Sequence, residues 1–436
     1  MEIIKTKYLS FILVVAASMA LFSCKKEYKD PNGAIASDVL SSSKGLTGVS
    51  VGLQRVYTVS RPGLLFNSIS ANGFVTNEIF LLNSGNIPEL QLTTGGSSVD
   101  GTNSILLNLW ANANKIVYDA DNVINNAANL ADKSYASGLI AYSSIFKALA
   151  IGNMSQYWEK VPSGTGANVT FVTRVDGFNK AIAVIDNALT TIAANQMSAT
   201  FLAQIPAGID VVNTLYALKA RYALFAGNYA LALTTANLVD LTKRSSFNFD
   251  AITLNPIFEV ATSTNNVFQP TNANLGLTGA FVPDANDKRI PFYTTTAATA
   301  PAVRISGFGA AAATAYPIYL PGEITLIKAE VYARQPDLTS ALTELNKVVT
   351  RTPTGVSLDA NYGMGAGLPT LVGPYTQQQL LDLIYKNRCI ELYMSGLKIE
   401  DMRRFNQPLT DRKRNFFPYP FQERDNNPNT PADPSF

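Results

Sequence analysis

Among its 436 residues, the sequence contains no histidine. This absence excludes Ser–His–Asp and Cys–His nucleophilic systems, histidine-ligated zinc sites and acid–base catalysis by imidazole. Catalysis by a pair of carboxylates needs no histidine, so a carboxylate-based hydrolase stays open as one alternative. The sequence also lacks an excess of charge of one sign, since it has 34 basic and 32 acidic residues. We therefore expect no nucleic-acid partner.

Cysteine is nearly absent as well, with only Cys24 and Cys389 in the chain. An apolar segment, residues 8–22, stops just before Cys24. It is shorter than the roughly 20 residues of a membrane-spanning helix and suits a secretory signal peptide. The order Leu-Phe-Ser-Cys at its end looks like a lipobox, in which acyl chains such as palmitate are attached to the cysteine.

This interpretation divides the start of the chain. We expect residues 1–23 to be a lipoprotein signal peptide, Cys24 to carry the lipid, and residues 24–34 to be a hydrophilic tether. An ordinary secreted protein with a chance cysteine is the alternative. With Cys24 acylated, Cys389 has no cysteine to pair with, and we expect it to be a small buried apolar residue.

Helical periodicity dominates residues 35–436, for which we predict a single domain. Long helices are predicted over 105–130, as one helix or two joined, over 135–162, where the helix runs into a turn that ends at proline, and over 174–195. In the first of them, apolar residues recur every seven positions, at Leu109, Ile116, Val123 and Leu130. A fourth helix is predicted to begin after Thr376, with Gln379 completing a capping box.

Two later segments, 217–240 and 326–351, resemble each other. Each opens with Lys-Ala, turns at Gly-Asn or Pro-Asp, and places a second alanine twelve residues after the first. Small residues there let two antiparallel helices approach closely, as in tetratricopeptide repeats. Chance similarity between two alanine-rich hairpins is the alternative.

Three stretches, near 61–104, 247–321 and 352–374, are rich in Gly, Pro, Asn, Ser or Thr. We predict long loop-rich insertions there. The expected fold class is mainly α, a tetratricopeptide-like scaffold of helical pairs with these insertions.

The segment NRCIELYMSGLKIEDMRRF, residues 387–405, resembles the C-terminal signature of the SusD/RagB family of outer-membrane lipoproteins. The matching residues are Arg388, Glu391, Leu392, Gly396, Asp401 and Arg404, and the departures are Asn387, Ser395, Lys398 and Met402. Arg388 and Glu391 are also three apart and can pair along the helix surface. The lipobox, the helix LWANANKIVYDADNVINNA and the tail FPYPFQERDNNPN are similar to the family's as well.

The resemblance implies a SusD-like, mainly helical body, lipid-anchored at the outer membrane and exposed on the cell surface. It implies a binding protein without enzymatic activity, which acts as the lid of a TonB-dependent, SusC-like β-barrel transporter and captures glycans. A peptide ligand is the alternative within the family. No cofactor is expected, although the oxygen-rich stretches 284–289 and 423–429 are candidates for a structural calcium.

Oligosaccharides are held by aromatic rings under their apolar faces and by amide and carboxyl groups on their hydroxyls. Trp110 and Trp158 lie in helical patterns, so we expect them in the core. The candidate aromatics stand in predicted loops: Phe66, Phe74, Phe80, Phe268, Phe281, Tyr293, Phe308 and Tyr316. Asn77 and Glu78 stand where many SusD-like members have Ser-Asp-Glu, and the resemblance implies that they contact the ligand.

Overall fold

The computed structural model describes residues 36–352 and 364–436. The predicted signal peptide, Cys24 and the tether lie outside the described residues, and so does much of the predicted loop at 352–374. Helices fill most of the remainder. They are α1 (Ala36–Ser41), α2 (Ser43–Thr58), α3 (Leu64–Val75), α4 (Ile87–Thr94), α5 (Ser104–Ala127), α6 (Lys133–Tyr157), α7 (Arg174–Ala194), α8 (Ala199–Leu202), α9 (Val211–Phe225), α10 (Tyr229–Ala236), α11 (Ile290–Tyr293), α12 (Pro321–Arg334), α13 (Leu338–Val349), α14 (Gln377–Glu391), α15 (Lys398–Arg404) and α16 (Phe421–Asn426).

The strands are short and pair two by two. They are β1 (Ile79–Leu81), β2 (Lys160–Pro162), β3 (Phe171–Thr173), β4 (Ser246–Phe247), β5 (Phe268–Pro270), β6 (Thr294–Thr296), β7 (Val303–Ile305) and β8 (Tyr316–Pro317). The antiparallel pairs are β1 with β5, β2 with β3, β4 with β8 and β6 with β7. In the described part of the chain, no helix has both the length and the apolar character needed to cross a bilayer.

The three long predicted helices are confirmed as α5, α6 and α7. Helix α5 begins at Ser104 because the Asn103 side chain accepts hydrogen bonds from the backbone N–H groups of Ile105 (3.0 Å) and Leu106 (3.2 Å). The stripe of residues seven apart faces the core, since Leu109, Ile116 and Val123 are buried.

The two similar segments are confirmed as antiparallel helical hairpins, α9 with α10 and α12 with α13. Their small residues are Ala220 and Ala232 in the first hairpin, Ala329 and Ala341 in the second. All four are fully buried. A methyl group at these positions lets the paired helices pack closely, as the sequence predicts.

Helix α14 begins as predicted, with Thr376 and Gln379 forming the capping box. The predicted surface pair between Arg388 and Glu391 is wrong. Both side chains point into the core, where Arg388 donates to Asp401 of α15 at 3.0 Å and Glu391 lies 3.3 Å from Arg289.

The predicted loop at 61–104 is also wrong, because it contains α3 and α4. Every residue of α3 is buried, including its polar ones. The amide of Asn67 donates to Gly63 O (2.8 Å) and the hydroxyl of Ser68 to Leu65 O (3.0 Å). Polar side chains that bond the local backbone in this way can lie inside a protein. Residues 247–321 do consist of short elements joined by loops.

Candidate functional site

An open groove of about 790 Å³ lies between α5, the loop that joins β2 to β3, and α16. Its volume is within the range of small-molecule sites, about 300–1,000 Å³. The lining residues are Leu107, Trp110, Ala111, Asn114, Lys115, Tyr118 and Asp119 from α5, Pro162 and residues 164–169 from the loop, and Gln422, Glu423, Asn426 and Asn427 from the last helix and its end. We call this feature the groove.

One wall of the groove is a single face of α5. Its lining residues recur at intervals of three and four, the spacing that places side chains on one side of an α-helix. The eleven steps from Leu107 to Tyr118 extend about 17 Å along the helix axis. The opposite stripe of α5 is buried in the core, so the fold holds this wall rigidly.

The floor of the groove is Trp110, whose side chain is only 3% exposed. Its ring stacks nearly parallel to that of Phe171, with centroids 6.2 Å apart, and meets Trp158 edge-on at 4.9 Å. Its indole N–H donates to Glu423 Oε2 at 2.9 Å. Trp110 is therefore fixed in place, and both tryptophans lie in the core as predicted.

The second wall of the groove is formed by α16, and Glu423 links this wall to α5. While its Oε2 accepts from Trp110, its Oε1 accepts a hydrogen bond from Asn427 Nδ2 at 2.9 Å. The same Asn427 amide donates to Val169 O in the β2–β3 loop at 3.0 Å. These bonds hold α5, α16 and the loop at fixed distances around the groove.

Tyr118 and Gln422 are the groove side chains most available to a ligand. Tyr118 is 57% exposed. Within the described ranges its ring meets no other aromatic ring and its hydroxyl makes no hydrogen bond, and the Gln422 amide is likewise without a partner. The amide N–H of Asn426 donates a hydrogen bond to the backbone oxygen of Gln422 at 2.7 Å. The amide oxygen of Asn426 can therefore accept a hydrogen bond from a ligand. The groove is thus lined both by an exposed aromatic ring and by amide groups that can still exchange hydrogen bonds with a ligand.

Several predicted site aromatics lie instead around an interior cavity of about 50 Å³. Tyr293, Phe308 and Tyr316 line it and are buried. Their rings contact each other, with centroids 6.1 Å apart for Tyr293 and Phe308 and 5.9 Å for Phe308 and Tyr316. A cavity of this size holds water molecules rather than a sugar. The structure thus places these three residues in the interior rather than on a surface loop, and their contact with a ligand stays a prediction.

The other predicted aromatics also belong to the core or its edge. Phe66, Phe74 and Phe268 are fully buried and pack together, with 5.7 Å between the ring centroids of Phe74 and Phe268. Phe281 is half-buried against Tyr385, and Phe80 is half-buried in β1. Burying an aromatic ring stabilises the fold more than leaving it exposed in a loop. A predicted loop position is therefore not enough to identify a ring that contacts a ligand.

Asn77 and Glu78 shape the turn between α3 and β1. Asn77 has a left-handed backbone (φ 61°), and its carbonyl accepts a hydrogen bond from Thr271 Oγ1 at 2.7 Å. Glu78 is 1% exposed and accepts a hydrogen bond from Asn72 Nδ2 at 2.6 Å. Burial raises the pKa of Glu78 to about 7, against the attraction of Lys398. Neither residue lines the groove, and the ligand contact of Asn77 and Glu78 stays a prediction.

The carboxylates of the candidate calcium stretch 284–289 form ion pairs with arginine and lysine side chains of the protein. Asp287 pairs with Arg289 at 2.7 Å, both buried, and Asp284 pairs with Lys386 at 2.9 Å. Over residues 36–352 and 364–436, no cluster of three or more His, Cys, Asp or Glu side chains is arranged to hold a metal ion. Cys389 is buried as predicted, and burial raises the pKa of its thiol to about 12.

Comparison with known proteins identifies the fold. No family model matches the chain, and no curated protein matches it by sequence. Solved structures do match. A SusD superfamily protein from Bacteroides vulgatus is 13% identical, with a TM-score of 0.67 over 90% of this chain and 99% of that one. A SusD-like carbohydrate-binding protein from Bacteroides fragilis is 12% identical, with the same TM-score and coverage.

A SusD-like protein from Bacteroides fragilis, also 12% identical, matches with a TM-score of 0.69 over 92% of this chain and 99% of that one. The likeness thus extends over nearly the whole length of each protein, although few residues are shared. The described part of the chain is mainly helical, as in the fold class predicted from its sequence. This protein has the SusD-like fold.

Proposed function

We propose that this protein binds oligosaccharides in the groove and does not cleave them. The observation that carries the proposal is that one groove is lined by the exposed ring of Tyr118, by the Gln422 amide and by the amide oxygen of Asn426. An aromatic ring covers the apolar face of a sugar, and amide groups exchange hydrogen bonds with its hydroxyls. A solved neighbour of the same fold is described as carbohydrate-binding, which supports this ligand class.

The proposal extends to where the protein acts. The lipobox-like sequence before Cys24 and the resemblance to outer-membrane lipoproteins support a lipid anchor at the cell surface. There the protein would serve as the lid and capture partner of a TonB-dependent transporter. We expect Cys24→Ser to release the protein from membranes, as judged by fractionation and by the mass of the mature N-terminal peptide.

Two results would contradict this location. One is a mature protein recovered without acyl chains, and the other is a Cys24→Ser variant that stays with the membrane. A transporter partner should co-purify with the wild-type protein from detergent-solubilised outer membranes. Failure to recover a β-barrel there would remove the partner from the proposal without affecting the groove.

A glycan array with a parallel degradation assay tests the binding function. We expect retained glycan and no release of shorter products. Tyr118→Ala should weaken binding of the retained glycan about tenfold or more, since both ring burial and stacking geometry are lost. Isothermal titration calorimetry would measure the change.

Phe436→Ala is the control for the loss of an exposed ring. Phe436 is 75% exposed and lies outside the groove lining, so its removal should leave the affinity unchanged. Equal affinity of Tyr118→Ala and wild type would exclude the groove as the site. Release of shorter products by the wild-type protein would favour the hydrolase alternative.

A further inference from the structure

The charges that line the groove are few. Lys115, Asp119 and Glu423 are its only charged lining residues in the described part of the chain. Lys115 Nζ lies 2.7 Å from Asp119 Oδ2, so this pair nearly cancels. Glu423 has no lysine or arginine nitrogen within 4 Å among the described residues. The groove thus carries one carboxylate that makes no ion pair in the described part of the chain.

The hydrogen bonds to the Glu423 carboxylate come from neutral donors only, among the described residues. The Trp110 indole N–H and the Asn427 amide each bond one of its oxygens, which fixes the carboxylate without cancelling its charge. A ligand carboxylate or sulfate in the groove would meet this negative charge across a partly desolvated space. Like charges at such separations weaken binding, because the Coulomb energy rises as the local dielectric falls.

The length of the groove also favours a ligand longer than a single sugar ring. The face of α5 that lines it runs for about 17 Å, which is longer than one sugar ring. Asn114 and Lys115 lie along this wall between Leu107 and Tyr118. A monosaccharide would cover a fraction of the wall, whereas a linear oligomer laid along α5 would reach groups at both ends.

Building on the proposed function, we infer that the groove selects uncharged linear oligosaccharides and that Glu423 is the residue that excludes acidic ones. The excluded class comprises uronic-acid, sialylated and sulfated glycans. Glu423 then has two roles, since it positions Trp110 and α16 and also sets the charge that a ligand meets.

The test uses an array that carries neutral glycans of increasing length together with uronic-acid, sialylated and sulfated glycans. It includes β-1,4-mannan and β-1,4-mannuronan oligomers as a pair that shares its linkage. Wild-type protein should retain neutral oligomers, more strongly as length increases, and few acidic ones. Glu423→Gln should raise the ratio of acidic to neutral binding about tenfold, which corresponds to one unfavourable charge contact.

A second variant separates charge from folding. Glu423→Gln keeps an oxygen for the Trp110 indole but loses the bond from Asn427, so it can loosen α16. Gln422→Lys places a positive charge in the groove from a side chain without hydrogen bonds, and it should raise the same ratio. Asp425→Asn is the matched control, because Asp425 is an exposed carboxylate of the same helix outside the groove lining. It should leave the ratio unchanged.

The outcomes separate this inference from the proposed function. If the wild-type protein retains no glycan, both fail. If it retains acidic glycans as well as neutral ones, or monosaccharides as well as oligomers, the selectivity inference fails and glycan binding stands. If Asp425→Asn shifts the ratio as much as Glu423→Gln does, net surface charge rather than Glu423 determines selectivity.

Discussion

Replacing Glu330 by glutamine is expected to destabilise the folded protein by about 3–5 kcal/mol, the typical cost of breaking a buried ion pair. Glu330 of α12 is fully buried. Its Oε2 lies 2.8 Å from Arg404 Nη2 and its Oε1 lies 2.9 Å from Arg334 Nε. Arg388, also fully buried, lies 3.9 Å away. The substitution leaves Arg388 and Arg404 with Asp401 as their remaining buried carboxylate, and it removes the carboxylate that pairs with Arg334.

Acid should weaken the same cluster. Burial alone would raise the pKa of Glu330, but Arg404, with Arg388 and Arg334, lowers it to about 2. A carboxyl whose pKa is lower in the folded state contributes stability above its unfolded pKa of 4.5. This contribution, about 3 kcal/mol in size, is lost as the pH falls from 4.5 through 2.

Urea unfolding at pH 7 would measure the effect of Glu330→Gln on the free energy of unfolding. Glu344→Gln on the neighbouring helix α13 is the control. Glu344 pairs with Lys347 at 2.6 Å, and the lysine side chain is largely exposed, so its loss should cost less than about 1 kcal/mol. Similar losses for the two variants would show that the buried cluster is no more important to stability than a surface pair.

Glu78→Gln is expected to stabilise the protein at pH 8 by up to about 3 kcal/mol, in the opposite direction to Glu330→Gln. One oxygen of Glu78, Oε1, is buried without a hydrogen-bond partner in the described structure. Its ionised form therefore loses hydration that Asn72 and Lys398 only partly replace. An amide of the same shape carries no charge and avoids this loss.

The pH dependence identifies the group. Because the folded pKa of Glu78, about 7, lies above the unfolded value of 4.5, its contribution is fully present below pH 4.5. It is lost as the pH rises through 7. The difference in unfolding free energy between Glu78→Gln and wild type should therefore grow from pH 4.5 to pH 8. A difference that is constant over this range would contradict the raised pKa, and the absence of histidine keeps imidazole titration out of the window.

The sequence predicted the elements whose signals are local. The stripe on α5, the paired alanines of the two hairpins and the capping box at Thr376 each depend on residues within one or two helices. Helix α3 was missed because Asn67, Ser68 and Gly73 are typical of loops. The polar side chains of Asn67 and Ser68 and the small size of Gly73 suit this helix only because the surrounding core buries it.

The groove could not be predicted in the same way. Its two walls come from residues near 110 and near 423, and nothing in the sequence brings them together. Tyr118 did carry a signal, because it is a large ring on α5 outside the buried stripe. The loop aromatics Tyr293, Phe308 and Tyr316 looked more promising, and tertiary packing placed them inside.

The hydrogen bond between Trp110 and Glu423 joins residues that are 313 positions apart. The second wall of the groove is therefore synthesised long after the first. A chain truncated before α16 lacks one wall of the groove, so we expect it to lose the glycan binding proposed for the groove. A bound ligand, in turn, should protect α16 from proteolysis, since it favours the conformation in which both walls are present.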